Sequence, residues 1–148
     1  MCAGCAEKAN TVCPELLPGA EMATYLLDTN VIIHVLRGRK DRINLLADLL
    51  DSGHLLASCP ITISEIYAGM KPTEENRTRA FIESLQFLPM TAEIAADAGI
   101  MKRDYALRGQ TLSLPDAAIA ATAIAHRCIL VAENTKDFPM PRLSIHPM

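Results

Sequence analysis

The chain is poor in aromatic residues and has no long hydrophobic run. Its 148 residues include no Trp, three Phe and three Tyr, although half of them are hydrophobic. The core must therefore be aliphatic, and the chain is long enough to bury one. The longest apolar block, residues 117–125, is interrupted by Thr122 and falls short of the roughly 20 apolar residues that span a bilayer. We expect one domain without a membrane segment.

A strong charge of either sign is also absent. The formal net charge of −3 argues against binding nucleic acid over a broad surface. Basic residues are grouped in one place, after the first predicted helix, and this basic cluster comprises Arg37, Arg39, Lys40 and Arg42. No glycine-rich loop follows a predicted strand, which excludes nucleotide binding of the kind that such loops support.

The first 21 residues differ from the rest of the chain. They hold three of the five cysteines, no histidine and no continuous apolar core of a signal peptide. Three cysteines fall short of the four ligands of a zinc site. We expect residues 1–21 to be a poorly ordered extension, residues 22–148 to form the domain, and the protein to be cytoplasmic. Cys59 and Cys128 flank apolar runs and are expected to be buried, reduced thiols.

Short apolar runs alternate with helical patterns from Met22 onwards. Strands are predicted at residues 24–27, 55–59, around Phe87, 129–132 and 143–145. Helices are predicted at residues 30–36, from 43 to 52, from near 63, and at 74–84, 92–107 and 115–126. Strands separated by helices indicate right-handed crossovers. The expected fold is an α/β/α sandwich with a central, mainly parallel sheet of four to five strands.

Three acids lie next to apolar segments at predicted helix starts: Asp28, Glu65 and Asp116. Open α/β sheets bind their ligands at the carboxyl ends of the strands, where Asp28 and Glu65 are expected. Burying several carboxylates without cationic partners is costly unless a metal ion is bound. Carboxylate oxygens suit Mg²⁺ or Mn²⁺, so the three acids are a candidate site for one of these ions.

Each acid also has a purely structural interpretation. Asp28 would cap the helix that follows it. Thr62 and Glu65 have the spacing of a capping box, in which the acid reaches back to the first amide. Asp116 follows Pro115, and its charge would suit the helix dipole. Only the combination of the three acids at one sheet edge favours the metal site.

Four segments, in order, resemble the motifs of PIN-domain ribonucleases, in particular the VapC toxins of bacterial toxin–antitoxin pairs. The segments are residues 26–33 (LLDTNVII), 64–69 (SEIYAG), 114–123 (LPDAAIAATA) and 130–138 (LVAENTKDF). The resemblance runs from about Tyr25 to the C-terminus and does not include residues 1–21. It implies a PIN-like fold.

The resemblance also assigns roles to the acids. Asp28, Glu65 and Asp116 match the three principal acidic positions of the family, which are catalytic and hold Mg²⁺ or Mn²⁺. The fourth position falls on Asn134, and Asp137 is a further candidate ligand. The implied reaction is the metal-assisted hydrolysis of phosphodiester bonds in RNA.

Partners are implied in the same way. VapC-like toxins form homodimers and are neutralised by a small antitoxin. The segment at residues 61–85 carries apolar side chains that one core would not fully bury and that would serve a dimer: Ile66, Tyr67, Met70, Phe81 and Ile82. The basic cluster is a candidate contact for RNA phosphates, with a solvated surface turn as the equal alternative.

Two other functions are weighed against a nuclease. Ala132 stands where many relatives have a Thr, so a PIN-type module that binds RNA or protein with weak catalysis is an alternative. A phosphatase with an aspartyl nucleophile usually has a second Asp two residues after the first, but Asn30 occupies that place. His34, in an apolar helix, is expected to be a packing residue, and His126 to interact with a helix dipole.

Overall fold

The computed structural model describes residues 22–146 and residue 148. The strands are β1 (Thr24–Leu27), β2 (Leu55–Ser58), β3 (Gln86–Phe87), β4 (Ile129–Val131) and β5 (Ser144–His146). The α-helices are α1 (Thr29–Leu36), α2 (Lys40–Asp51), α3 (Pro60–Gly69), α4 (Glu75–Glu83), α5 (Ala92–Leu107) and α6 (Leu114–Ala125). Short 3-10 turns cover Pro72–Glu74 and Thr135–Asp137. The predictions made for residues 1–21 lie outside the described residues.

The five strands form one sheet in the order β3-β2-β1-β4-β5, and every pair is parallel. From β1, the chain adds β2 and then β3 on one side of the sheet. It then passes through α5 and α6, and β4 pairs with the other side of β1. The strand order therefore changes direction between β1 and β4. In open α/β sheets a crevice opens at the carboxyl ends of such a pair, and ligands bind there.

Alternate residues of β1 face two separate cores. Tyr25 and Leu27 pack into a core with residues of α1, α2 and α3, whereas Leu26 packs with residues of α5 and α6. A parallel strand buried on both faces needs an unbroken apolar run, which explains why three apolar residues precede Asp28. The predicted three-layer α/β/α sandwich is confirmed, with a sheet of five strands.

Small side chains let α6 lie deep in the fold. All residues from Ala117 to Ala123 are buried, and α5 packs along the outer side of α6. Bulkier residues would hold the helix further from the sheet. The start of α6, which carries Asp116, consequently lies close to the sheet.

Two helix starts differ from the predictions. Helix α2 begins at Lys40, so Lys40 and Arg42 lie in its first turn and not in the preceding turn. Helix α3 begins at Pro60, whose fixed φ and missing N–H suit a first helical residue. Glu65 is therefore in the second turn of α3, and the capping box that it was predicted to form with Thr62 is wrong.

Other predictions concern burial. Cys59 and Cys128 are free and buried, as expected. Ile66 was assigned to a dimer surface, but it is only 3% exposed because it packs into the core beneath α3. Its proposed companions Tyr67, Met70, Phe81 and Ile82 are partly exposed. Within residues 22–146, none of the helices has the length and apolar character to cross a membrane.

Candidate active site

Asp28 lies at the carboxyl end of the central strand. Its backbone N–H donates to the Val131 carbonyl (3.0 Å), which joins the ends of β1 and β4. Its side chain caps α1 by accepting a hydrogen bond from the Thr29 amide (2.9 Å), and the residue is 7% exposed. Burial raises its pKa to about 6, with the Thr29 amide opposing the shift. Repulsion from Asp116, Glu65 and Asp137 adds to the increase in pKa.

Glu65 reaches the same place from α3. The Thr29 hydroxyl donates to its Oε2 over 3.4 Å, so one threonine serves two of the acids. Burial of the carboxyl group raises the pKa of Glu65, and the nearby charge of Asp116 raises it further. The structural role predicted for Glu65, at the start of a helix, is thus replaced by contacts with other site residues.

Asp116 enters from the first turn of α6. The Ser113 hydroxyl caps this helix by accepting a hydrogen bond from the Asp116 amide (3.1 Å). Burial raises the pKa of the Asp116 carboxyl group, a hydrogen bond with Ser113 opposes this, and the charge of Asp137 adds to it. The capping role belongs to Ser113, so the Asp116 carboxylate is not needed to cap the helix.

The last motif contributes Asp137. Its carboxylate is near enough to repel both Asp28 and Asp116. The Asn134 side-chain amide donates to Asp137 Oδ2 over 2.9 Å. The structure therefore brings Asp137 to Asp28 and Asp116, and Asn134 is hydrogen-bonded to Asp137. The ligand roles predicted for Asn134 and Asp137 remain predictions.

Four carboxylates thus converge from four separate segments of the chain. Among residues 22–146, no Lys, Arg or His side chain forms an ion pair with any of the four, which are Asp28, Glu65, Asp116 and Asp137. In that part of the chain, no three His, Cys, Asp or Glu side chains already have the arrangement of a metal site. Binding a cation would require the carboxylates to turn towards one another.

The donor set nevertheless fits Mg²⁺ or Mn²⁺. These ions prefer carboxylate oxygen, and a cation would remove the mutual repulsion that raises the pKa values of these acids. The four groups are also placed at the crevice where the strand order changes direction. The donor chemistry of these carboxylates would therefore suit a divalent cation at the crevice.

The basic cluster is divided by the structure. Arg39 pairs with Asp41 (3.0 Å), and Arg42 pairs with both Asp41 (2.8 Å) and Glu133 (2.9 Å). Arg37 and Lys40 are exposed. None of the four is brought into contact with the acidic site, so their predicted role in binding RNA phosphates is not tested by the fold.

Sequence reasoning missed Glu133. Burial raises its pKa, but hydrogen bonds from Arg42 and His34 outweigh this and hold the pKa below its usual value. The sequence did contain an indication of its position, because Glu133, like Asp28, comes shortly after a buried strand. Its partners could not be found this way, since they lie 91 and 99 residues away in the chain. His34 therefore forms a hydrogen bond with Glu133 and is not only a packing residue.

The arrangement defines a class of protein, an α/β fold with an acidic site at the carboxyl edge of its sheet. The family model described as the PIN domain matches residues 25–141. Ribonuclease VapC19 of Mycobacterium tuberculosis is 31% identical over 115 residues, which cover 78% of this chain and 92% of the relative.

Solved structures agree with this match. A toxin–antitoxin complex from Klebsiella pneumoniae contains a chain that is 32% identical, with a TM-score of 0.68, covering 80% of this chain and 94% of that one. VapBC2 from Rickettsia felis, solved on a DNA fragment from its promoter, gives 25% identity and a TM-score of 0.73, covering 84% and 98%. This chain belongs to the PIN-domain family and, within it, groups with the VapC ribonucleases.

Proposed function

We propose that this chain is a divalent-metal-dependent endoribonuclease, a VapC-like toxin that hydrolyses phosphodiester bonds in RNA. The observation that carries this proposal is the convergence of four unpaired carboxylates at the carboxyl edge of the sheet. The names of its relatives, ribonucleases, support the reaction class. A protein that only binds partners would have no need for such a costly group of acids.

The carboxylates would have different roles in the reaction. When bound, Mg²⁺ or Mn²⁺ polarises the scissile phosphate and lowers the pKa of a bound water. Asp28 and Asp116 would hold the ion, with Asp137 as a further ligand. Glu65, which the Thr29 hydroxyl contacts at the edge of the site, would take the proton of the attacking water. Thr29 keeps Glu65 turned towards the site.

RNA would reach the site along the surface beside α1. Arg37 and Lys40 are exposed and would bind phosphates by charge, which positions the strand without reading its sequence. Arg39 and Arg42 would contribute less, because their guanidinium groups are paired with acids of the chain itself.

We further propose a small antitoxin as partner, because the solved relatives include toxin–antitoxin complexes. A homodimer is proposed as well, and the partly exposed side chains of Tyr67, Met70, Phe81 and Ile82 remain its candidate surface. Light scattering at micromolar concentration tests this, and a strictly monomeric species would contradict the dimer. Replacing Phe81 by Ser should then yield monomers.

The function is tested by incubating purified, antitoxin-free protein with bulk tRNA and ribosomal RNA in Mg²⁺ or Mn²⁺. We expect cleavage that EDTA abolishes and that Asp116→Asn, which keeps the size of the side chain, greatly reduces. Cleavage that survives either treatment would point to a contaminating nuclease. Folded protein that cleaves none of these RNAs would contradict the proposal.

The second candidate is a binding module with weak catalysis. Ala132 favours it, because this buried residue lacks the hydroxyl that many relatives carry at the position. Tight binding of RNA without cleavage, unchanged by Mn²⁺, would be its expected behaviour. Introducing the hydroxyl by Ala132→Thr would then raise the cleavage rate if its absence limits catalysis.

A further inference from the structure

Three polar side chains from separate segments meet beside the acidic site. A single oxygen of Glu133, Oε2, accepts hydrogen bonds from Arg42 Nε (2.9 Å) and from His34 Nδ1. His34 belongs to α1, Arg42 to α2, and Glu133 to the loop that follows β4. We call these three residues the Glu133 triad.

The triad is sheltered from solvent. The side chains of His34, Arg42 and Glu133 are 25%, 17% and 22% exposed. The other ion pairs of the described residues all include a side chain that is about half exposed, as in Arg39–Asp41 at 48% and 52%. Charge-assisted hydrogen bonds out of solvent hold geometry better than exposed ion pairs, which are screened and often contribute little.

The loop that the triad holds also carries part of the acidic site. Glu133 directly precedes Asn134, whose amide donates to Asp137 Oδ2 (2.9 Å). The 3-10 turn between them is closed by the Asp137 amide, which donates to the Asn134 carbonyl (3.1 Å). A displacement of residue 133 would therefore move Asp137 as part of the same short turn.

The other end of the connection is the helix that Asp28 caps. His34 lies on α1, which begins immediately after Asp28. Within residues 132–137, the side-chain hydrogen bonds that the structure describes to another element are those of Glu133. Its carboxylate thus links the segment bearing Asp137 to the helix that starts at Asp28.

We propose that Glu133 is a positioning residue for the reaction: its hydrogen bonds with Arg42 and His34 set the distance of Asp137 from Asp28 and Asp116. This rests on the proposed function, since it assumes that these acids hold a divalent cation. Residues behind metal ligands orient them, and their loss typically costs about 10- to 100-fold in metal affinity or activity. Arg42 accordingly acts through Glu133, and not as a contact to RNA.

Glu133→Gln tests this, because glutamine preserves the size of the side chain and removes its charge. We expect kcat for RNA cleavage to fall about 10-fold and the affinity for Mn²⁺, measured by calorimetry without RNA, to fall by a similar factor. KM for RNA should change little, and the melting temperature of the metal-free protein should fall by no more than a few degrees. Asp41→Asn is the matched control, since it removes the exposed acid that pairs with the same Arg42 and should leave kcat and Mn²⁺ affinity unchanged.

A double-mutant cycle tests whether Arg42 affects catalysis through Glu133. If Arg42 acts through Glu133, then Arg42→Gln and Glu133→Gln together lower kcat no more than the stronger single variant. If the reductions in kcat of the two single variants multiply in the double variant, Arg42 acts independently of Glu133, for example on RNA, and the inference is overturned. A loss of activity matched by a melting temperature more than about 10 °C lower would also overturn it, since the triad would then only hold the fold together.

Failure of the proposed function gives a different result. If the wild-type protein cleaves no RNA, the proposed function fails, whereas the Mn²⁺ titration of Glu133→Gln still tests the positioning role. If the wild type is active and Glu133→Gln has the same kcat and the same Mn²⁺ affinity, the positioning role fails and the function stands.

Discussion

Two acids at the carboxyl ends of neighbouring strands experience opposite environments. Asp28 follows the last residue of β1, and Glu133 lies two residues beyond β4. Burial and like charges raise the pKa of Asp28 to about 6. Burial also raises the pKa of Glu133, but Arg42 and His34 more than offset this and lower it. The difference comes from burial, since Asp28 is 7% exposed and the Glu133 side chain 22%, and from the donors Arg42 and His34, which Asp28 lacks.

This comparison separates an acid available for chemistry from an acid engaged in structure. A buried carboxylate without a cationic partner destabilises the fold unless it protonates or binds a cation. A carboxylate with two donors is already satisfied and has little affinity left for a ligand. Asp28 and the partly buried Asp116 belong to the first kind, Glu65 is exposed but likewise has no cationic partner, and Glu133 and Asp41 belong to the second.

The largest expected effect concerns activity. Asp28→Asn keeps an acceptor for the Thr29 amide and removes the charge that would bind the cation. We expect kcat for RNA cleavage to fall at least about 100-fold, because a metal ion supplies several kcal/mol of transition-state stabilisation. Single-turnover cleavage in Mn²⁺ measures this, with the exposed Asp48→Asn as control. An Asp28→Asn variant within threefold of the wild type would remove the distinction between the two acids.

The second effect is on stability, and its sign is opposite for the two acids. The pKa of Asp28 is raised from 3.8 to about 6, so between these values the folded state binds more protons than the unfolded state. The unfolding free energy of the wild type should therefore increase as the pH falls from 7.5 to 5. In Asp28→Asn this contribution is absent, and the variant should be more stable than the wild type at pH 7.5 by on the order of 2 to 3 kcal/mol.

The loss of Glu133 is expected to have the opposite effect on stability. The pKa of Glu133 is lower in the folded protein than its value of 4.5 in the unfolded chain. Its interactions with Arg42 and His34 therefore stabilise the fold above pH 4.5, and this stabilisation is lost as the pH falls below that value. Glu133→Gln should lose about 1 kcal/mol of unfolding free energy at pH 7.5, and its difference from the wild type should disappear as the pH falls through the lowered pKa of Glu133 in the folded protein. Urea unfolding across this pH range measures both variants. The same sign of change for Asp28→Asn and Glu133→Gln would show that the two environments are alike.

The third effect is on cation binding to the folded protein. At a Mn²⁺ concentration ten times the dissociation constant, binding adds about 1.4 kcal/mol to the unfolding free energy, or roughly 2 to 5 °C in melting temperature. We expect this rise in the wild type and in Asp41→Asn, and none in Asp28→Asn. An equal rise in all three proteins would place the cation elsewhere on the molecule.

Local patterns accounted for much of the fold. Helix α5 was predicted with both ends correct, because Thr91 caps its start and Gly109 follows its end with a φ of 81° that favours glycine. The ends of the strands were predicted within about one residue, because buried parallel strands are short apolar runs that can be recognised in the sequence. The start of α3 was missed because Pro60 was taken to precede the helix and not to begin it.

The three principal acids were found for a physical reason as well. Asp28 and Glu65 come after predicted strands and Asp116 opens an apolar helix, and a parallel sheet brings such positions together. Pairing between distant side chains leaves no local pattern, so the Glu133 triad could not be predicted. The same limit applies to the basic cluster, where the fold pairs Arg39 and Arg42 with acids that the sequence alone did not connect to them.

The smallest effect extends the comparison from acids to cations. Arg37 is exposed and, among the described residues, has no acid within ion-pairing distance, whereas Arg79 pairs with Glu75 on α4 (2.9 Å). An unpaired cation is available to an RNA phosphate, so Arg37→Gln should raise KM several-fold without changing kcat. It should also reduce the slope of log KM against log salt by about 0.7, the value for one phosphate contact on a single strand. Arg79→Gln is the matched control, and equal salt slopes for the two variants would show that Arg37 does not contact RNA.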